Sequence, residues 1–279
     1  MVADNHQGLD NLRRALVQTI NDFIDRRLPL RRTILVSSIL KNCCVEIPDH
    51  NRLINSLLES QKYDGGWVDC EDTAWSLYYY SQSRDCKPQF DQGLLWLESE
   101  RCGNKGWGFC KRDQSCIPIT ALISYLLPNF PPVHDAMTWL EDEWSYDFHA
   151  IINLNYKAAW YLLAYCKHYQ TAHLSQELFI NTIRYLISEQ RSDGSWGPWK
   201  KHPAPSECFI TGICMAALSL SYSVSGEKRI TLALTKGLKW IKDNQLDSGF
   251  FPTHYIEEGS AWIFFGWSNA LTAMQGQSA

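Results

Sequence analysis

One heptapeptide recurs along the chain and limits its possible folds more than any other feature. Gln61-Lys62-Tyr63-Asp64-Gly65-Gly66-Trp67 returns as Gln190-Arg191-Ser192-Asp193-Gly194-Ser195-Trp196. A weaker copy starts at Gln245 and runs through Asp247, Ser248 and Gly249 to Phe250, with Phe where Trp is expected. A fourth loop, Gly103 to Phe109, keeps only the ending Gly106-Trp107-Gly108. Each copy is a glycine turn followed by a large aromatic, set between stretches of helical periodicity.

The rest of the chain reads as helix. Leu12, Ala15, Leu16, Ile20 and Phe23 mark one face of a first helix over 9–25. Leu28-Pro29, Pro48-Asp49, Lys87-Pro88 and Pro131-Pro132 act as breaks. Between them the pattern predicts helices over 32–44, 51–60, 90–100, 117–127 and a short one over 135–143. Further helices are predicted over 150–169, 174–189 and 228–244, with others following Asp72, Ser206 and Gly259 or Ser260. Spread over 279 residues, six helical pairs take about 46 residues each. Repeats of that period bury their apolar faces only by stacking on neighbours. Six hairpins closed on themselves give an all-α fold, an α/α barrel of inner and outer helices as one domain over 1–279; an open superhelix is the alternative. The glycine loops precede the second helix of a pair, so acids that follow them gather at one end of the ring.

The densest set of acids follows the first heptapeptide. Asp69-Cys70-Glu71-Asp72-Thr73-Ala74 places three carboxyl groups within four residues, ahead of the apolar run Ala74, Trp75, Leu77 and Tyr78. Asp72 or Thr73 is the expected N-cap. Carboxylates that close cannot all ionise cheaply once buried, so at least one pKa should rise. A proton donor is made that way.

Composition narrows the partners. The net charge is −4 with a pI near 6.1, and no basic cluster is longer than Arg31-Arg32 or Lys200-Lys201, which argues against nucleic acid. The N-terminus is polar, and no apolar run comes near the ~18 residues of a membrane span, so a soluble cytoplasmic protein is expected. Ten cysteines then imply reduced thiols. Cys102, Cys110 and Cys116 share a loop without a histidine at ligand spacing and read as small hydrophobes rather than a zinc site. The excess lies in the aromatics: 12 Trp and 13 Tyr are more than a core of this size needs.

The heptapeptides resemble the QW motifs of the class II terpene cyclase and prenyltransferase superfamily, which includes squalene–hopene cyclases. The resemblance covers the chain from about residue 50 onward. In those cyclases the catalytic acid is the second Asp of an Asp-x-Asp-Asp-Thr-Ala motif. Asp69 to Ala74 looks like that motif with Glu at the donor position, so the resemblance makes Glu71 the acid and Asp69 and Asp72 its supporting carboxylates. Glu is intrinsically a slightly weaker acid on a longer arm. The resemblance further implies an aromatic wall that stabilises carbocations and keeps water out. Trp75, Tyr79, Tyr125, Tyr156, Trp160, Trp262 and Phe265, all on expected inner helices, are the candidates. Trp67, Trp107 and Trp196 belong to the repeat loops as staples between hairpins. His202 and His254 lie in loops at the same rim and could quench a cation.

The absences point the same way. No Asp-Asp-x-x-Asp motif is present, and Glu141-Asp142-Glu143 is a poor substitute for one. The zinc set of protein prenyltransferase subunits is missing as well. No metal or other cofactor is expected. The expected partner is an apolar, isoprenoid-type small molecule, and peripheral membrane contact is compatible with such a substrate. Class II cyclases usually carry a second helical domain; a single barrel implies a small substrate or a partner that completes the cavity. Two alternatives stay open. An acid followed by Thr-Ala can merely cap an inner helix, as Ser206-Glu207 to Thr211, Asp113 and Glu257-Glu258 would do, in a barrel that only binds an isoprenoid or a partner. Alternatively, the cluster runs other acid–base chemistry such as isomerisation.

Overall fold

The computed structural model describes residues 2–26, 30–81, 87–150, 153–200, 202 and 207–275. Within them the chain forms twelve α-helices and no strand. In order these are α1 (Val2–Arg26), α2 (Leu30–Asn42), α3 (His50–Ser60), α4 (Cys70–Tyr80), α5 (Lys87–Ser99) and α6 (Ile117–Leu126). They continue with α7 (Val133–Phe148), α8 (Asn155–His168), α9 (Gln176–Glu189), α10 (Cys208–Ser225), α11 (Arg229–Asn244) and α12 (Ile256–Gln275). The fifth and seventh helices start earlier than the sequence pattern suggested, because Pro88 sits in a first turn and Pro132 at an N-cap, where a proline costs no helical hydrogen bond.

The even-numbered helices close a ring. α2 packs on α4, α4 on α6, α6 on α8, α8 on α10, α10 on α12, and α12 returns to α2. The odd-numbered helices lie outside, with α1 against α2 and α12, and α7 against α6 and α8. Inner helices are apolar nearly all round: nine residues of α6, from Ile117 to Leu126, are buried. A helix buried on every side needs no polar face. That also corrects the expectation about membrane spans. α10 is long and apolar enough to cross a membrane, yet it is a core helix of the ring, packed on α8 and α12. α10 and α12 approach each other most closely at glycines: a Cβ on Gly212 would strike the backbone of Trp262, and one on Gly266 the carbonyl of Gly212.

The heptapeptides staple each hairpin to the next. Gln61 Nε2 donates to the Gly65 carbonyl within its own loop (2.7 Å) and to the Gln89 carbonyl of α5 (2.9 Å). Gln190 repeats this with Gly194 and with Ala233 of α11. In the loop before α6, Arg101 takes the place of Gln and donates to Lys105 O at 2.8 Å. The glycine position needs a left-handed backbone (φ 96° at Gly65, 97° at Gly194, 87° at Gly249), which Lys105 supplies with φ 77° in the fourth copy. The tryptophans then insert: Trp67, Trp107 and Trp196 each donate the indole N–H to a carbonyl of the preceding outer helix. Their backbone amides donate to Thr73, Thr120 and Thr211 of the following inner helix.

The weak third copy differs from its sequence reading. Phe251, not Phe250, occupies the tryptophan position: it is fully buried and its amide donates to Ser260 Oγ at 3.0 Å. This copy also closes the ring, since Gln245 Nε2 donates to Gly249 O and to Gly8 O of α1. Gln245→Ala should therefore lower unfolding free energy by about 1–3 kcal/mol, the range for leaving buried carbonyls without a donor. Urea denaturation checks this; an unchanged midpoint would show that the chain ends are not tied through that side chain.

Candidate active site at the inner-helix N-termini

Successive inner helices run in the same direction, so their N-termini surround one mouth. The buried hydroxyls that receive the loop amides set a common level: Thr73, Thr120, Thr211 and Ser260. Two residues before each of them stand Glu71, Pro118, Phe209 and Glu258. Tyr156 holds the corresponding first-turn place on α8, and Arg31 lies two before Thr33 on α2. Glu71, Pro118, Tyr156, Phe209 and Glu258 all line one cavity of about 310 Å³ at this mouth. Leu122, Trp160 and Trp262, one helical turn further in, form its floor, and Phe109, Pro198 and Glu207 reach it from the loops. The N-terminal ends of helices carry partial positive charge, which suits carboxylates at this rim.

Arg31 organises the acids. Its Nη2 lies 2.8 Å from Glu71 Oε2, its Nε 2.9 Å from Asp72 Oδ1 and its Nη1 3.5 Å from Asp69 Oδ2. One guanidinium cannot neutralise three carboxylates, and Glu258 adds a fourth negative charge nearby. Burial pushes the Glu71 carboxyl up to about 7, against the pull of Arg31 and with the push of Asp69 and Asp72. Burial followed by repulsion from Asp69 raises Asp72 to about 6. Glu258 is also raised, by burial, while Arg31 and Arg32 pull it the other way. Groups this closely coupled titrate as a set, so near neutral pH the cluster retains protons.

The three predicted acids have separate places. Asp69, rather than Asp72 or Thr73, caps α4: its side chain accepts the Asp72 amide at 2.9 Å. Thr73 is unavailable for capping because its hydroxyl receives the Trp67 amide. Asp72 is only 5% exposed, with Oδ2 lacking a hydrogen-bond partner among the described residues. It lines a separate pocket of about 240 Å³ between α2, α3 and α4, not the mouth cavity. Glu71, 23% exposed, is the member of the trio that faces the mouth.

The predicted aromatic wall is split along the barrel. Tyr156, Trp160 and Trp262 line the mouth cavity. Trp262 is the hub, with ring centroids 5.5 Å from Trp160, 5.5 Å from Phe209, 5.9 Å from Phe265 and 6.1 Å from Trp75. Trp75 and Phe265 thus pack beneath the cavity, although Trp75 lines the pocket beside Asp72. Tyr79 and Tyr125 do not reach the mouth. They lie seven or eight residues along their helices from it, about 10–12 Å at helical rise. Tyr79 bonds His50 Nδ1 through its hydroxyl at 2.8 Å, and Tyr125 accepts from Asn42 at 3.3 Å. His202 packs on Trp199 and His254 on Tyr255, and neither lines the cavity. Arg31, Phe109, Phe209, Glu207 and Glu258 were not among the predicted site residues; their shared level two residues before a buried hydroxyl is the signal that could have found three of them. Among the described residues, no group of three or more His, Cys, Asp or Glu side chains is arranged to hold a metal ion.

No family model and no curated protein sequence matches the chain. Solved structures do. The chain is similar to the type II terpene cyclase MstE from Scytonema, in a variant bound to its substrate geranylgeranyl dihydroxybenzoate, with a TM-score of 0.72 and 13% identity over 96% of this chain and 99% of that one. It is similar to ent-copalyl diphosphate synthase from Streptomyces platensis, with a TM-score of 0.64 and 15% identity over 88% of this chain and 50% of that one. A possible GH105 family member from Salmonella enterica also matches, with a TM-score of 0.61 and 12% identity over 86% of this chain and 82% of that one. The chain therefore shares its α/α-barrel fold with these structures, type II terpene cyclases among them, and MstE shows that barrel at matching length. A fold hosts many chemistries, as the third match illustrates, so function has to be argued from the cavity.

Proposed function

We propose that this chain is a protonation-initiated, type II terpene cyclase-like enzyme acting on a short isoprenoid or prenylated small molecule. The observation that carries the reading is Glu71: a carboxylic acid that keeps its proton to about pH 7 on the wall of a cavity floored by Trp160 and Trp262. Arg31 engages Oε2, so the acid's proton sits on Oε1. Delivery of that proton to a terminal alkene carbon leaves a tertiary cation, and the next double bond attacks it to close a ring. Faces of Tyr156, Trp160, Phe209 and Trp262 stabilise the moving charge at about 0.5–2 kcal/mol per ring and deny it water. A cavity of 310 Å³ is at the small end of ligand sites, which favours a short chain or insertion of only the reacting end. Solved relatives of the fold support an isoprenoid ligand, since MstE is bound to a geranylgeranylated one.

The test is turnover of prenylated dihydroxybenzoates and free prenyl alcohols in deuterated water, with and without EDTA. One deuterium per cyclic product and indifference to EDTA are expected. Cyclic product without deuterium would exclude initiation by a solvent-exchangeable proton.

The pH profile follows from the same acid. Glu71 acts in its protonated form, and its folded pKa is raised, so kcat should be flat in mild acid and fall as pH rises through about 7. The slope above that point should approach tenfold per unit. A rate that instead climbs between pH 6 and 8 would mean that an ionised group starts the reaction.

A further inference from the structure

The mouth is chemically divided by the order of its helices. Going round the ring, α12, α2 and α4 present Glu258, Arg31 and Glu71, whereas α6, α8 and α10 present Pro118, Tyr156 and Phe209. Glu258 stands at the same level as Glu71 and faces the same cavity, separated from it by the Arg31 helix. It differs in its surroundings. Glu71 shares one guanidinium with Asp69 and Asp72. Glu258 is under the influence of two, Arg31 and Arg32, besides the repulsion it shares with Glu71 and Asp72. Arg32 is itself held in place over the Tyr255 ring, 4.2 Å from its centroid, in the loop that leads into α12. The cavity thus holds two carboxyls at one level on either side of the Arg31 helix, and only Glu258 has Arg32 as a second guanidinium acting on it.

We infer that Glu258 is a second catalytic group, which receives the terminating proton from the cyclised cation. This rests on the cyclase reading above. The Glu71 O–H bond breaks as a C–H bond forms at the terminal alkene, and each ring closure exchanges a π bond for a σ bond. Finally a C–H bond beside the cationic carbon breaks toward the Glu258 carboxylate, and its electron pair becomes the product's double bond. Substrate and product are isomers, with no redox change. Solvent returns one proton to Glu71 and takes one from Glu258. Glu207, which also reaches the cavity, lies outside the first turn of α10 and is exposed to solvent, whereas Glu258 is half-buried in the first turn of α12. The product class is therefore a cyclic alkene rather than an alcohol.

The experiment compares wild type, Glu258→Gln and Glu71→Gln in two assays. In the first, geranylgeranyl dihydroxybenzoate and farnesol are turned over in deuterated water. Glu258→Gln should still incorporate deuterium but shift the alkene-to-alcohol ratio by at least about tenfold toward water-quenched alcohol, as expected when a positioned base is lost. An unchanged ratio overturns the inference. In the second, N,N-dimethylfarnesylamine stands in for the cation at pH 8, with farnesol as its neutral control. Glu258→Gln should weaken the amine about tenfold by removing a nearby opposite charge, and leave farnesol binding unchanged. If wild type turns over neither probe, the cyclase reading loses its support, and equal amine affinity in wild type and Glu258→Gln then overturns the placement of Glu258 against a cation.

Discussion

Glu71→Gln should lower turnover by about 100- to 10,000-fold, the usual contribution of a positioned general acid, while making the folded protein more stable at pH 8. The two effects have one cause. Burial holds the Glu71 carboxyl at about 7 in the fold against an ordinary value of 4.5. A carboxyl raised by folding opposes folding once pH exceeds its unfolded value, and the whole cost is present above its folded value. Between those two values the wild type should lose stability that the glutamine variant keeps. The gain in the variant should be about 1–3 kcal/mol at pH 8 and vanish near pH 4. Arg31 keeps Asp69 and Asp72 as partners, so no guanidinium is stranded by the change. Thermal denaturation of both proteins at pH 4 and pH 8 measures the difference. If Glu71 were merely a strut that completes an ion pair, its loss would destabilise the fold at pH 8. A less stable variant with intact turnover would remove Glu71 from the mechanism.

The parts of the molecule that were legible in the sequence are those where chemistry acts within about ten residues. A Gln, a glycine in left-handed backbone and an indole specify one loop, and the loop specifies that an outer helix ends and an inner one begins. The closed ring follows because each Gln reaches the next outer helix, down to Gln245 on Gly8. Where a second residue type meets the same demand, the reading slipped by one. Phe251 was missed in favour of Phe250 because the tryptophan position has to be counted from the glycine of the turn, not from the first aromatic. The N-cap was misplaced for a related reason: Thr73 suits a cap, but a loop amide six residues earlier had already taken its hydroxyl.

The site was legible only in its local half. Asp69, Glu71 and Asp72 are adjacent in sequence, and their crowding implied a raised pKa before any coordinates. Arg31 is forty residues away and Glu258 nearly two hundred, and no periodicity within a helix connects them. Each is fixed by level instead, two residues before a buried hydroxyl: Thr33 for Arg31 and, for Glu258, the Ser260 that receives the Phe251 amide. Depth along the barrel was illegible too. Tyr79 and Tyr125 share the inner faces of their helices with Trp75 and Leu122, but one further turn carries them beyond the aromatic hub at Trp262, to where His50 and Asn42 receive them.

Trp196→Ala should be the most damaging single change to the fold. The indole is fully buried, and its N–H donates to Leu186 O of α9 at 2.8 Å. Its own backbone is clasped by Thr211 of α10, which accepts from the amide at 3.1 Å and donates to the carbonyl at 3.2 Å. Truncation of a buried Trp costs about 3–5 kcal/mol in packing and cavity terms, and a stranded carbonyl adds about 1–3. Domains of this kind have only about 5–15 kcal/mol in total, so the variant should unfold at far lower urea or fail to accumulate folded. Phe251→Ala is the informative partner, because Phe251 fills the same position without an N–H to lose. It should cost the packing term alone, and the difference between the two variants isolates the indole hydrogen bond. If Trp196→Ala lost no more than Phe251→Ala, the indole N–H would contribute nothing to the joint between α9 and α10. Because α10 carries Phe209 at the cavity and packs on α12 beside Trp262, loosening that joint should also relax the aromatic wall against which a cation would be held. A Trp196→Phe variant that keeps most of its stability should therefore lose product selectivity before it loses rate, since the proposed cyclase function assigns proton delivery to α4 and guidance of the cation to α8, α10 and α12.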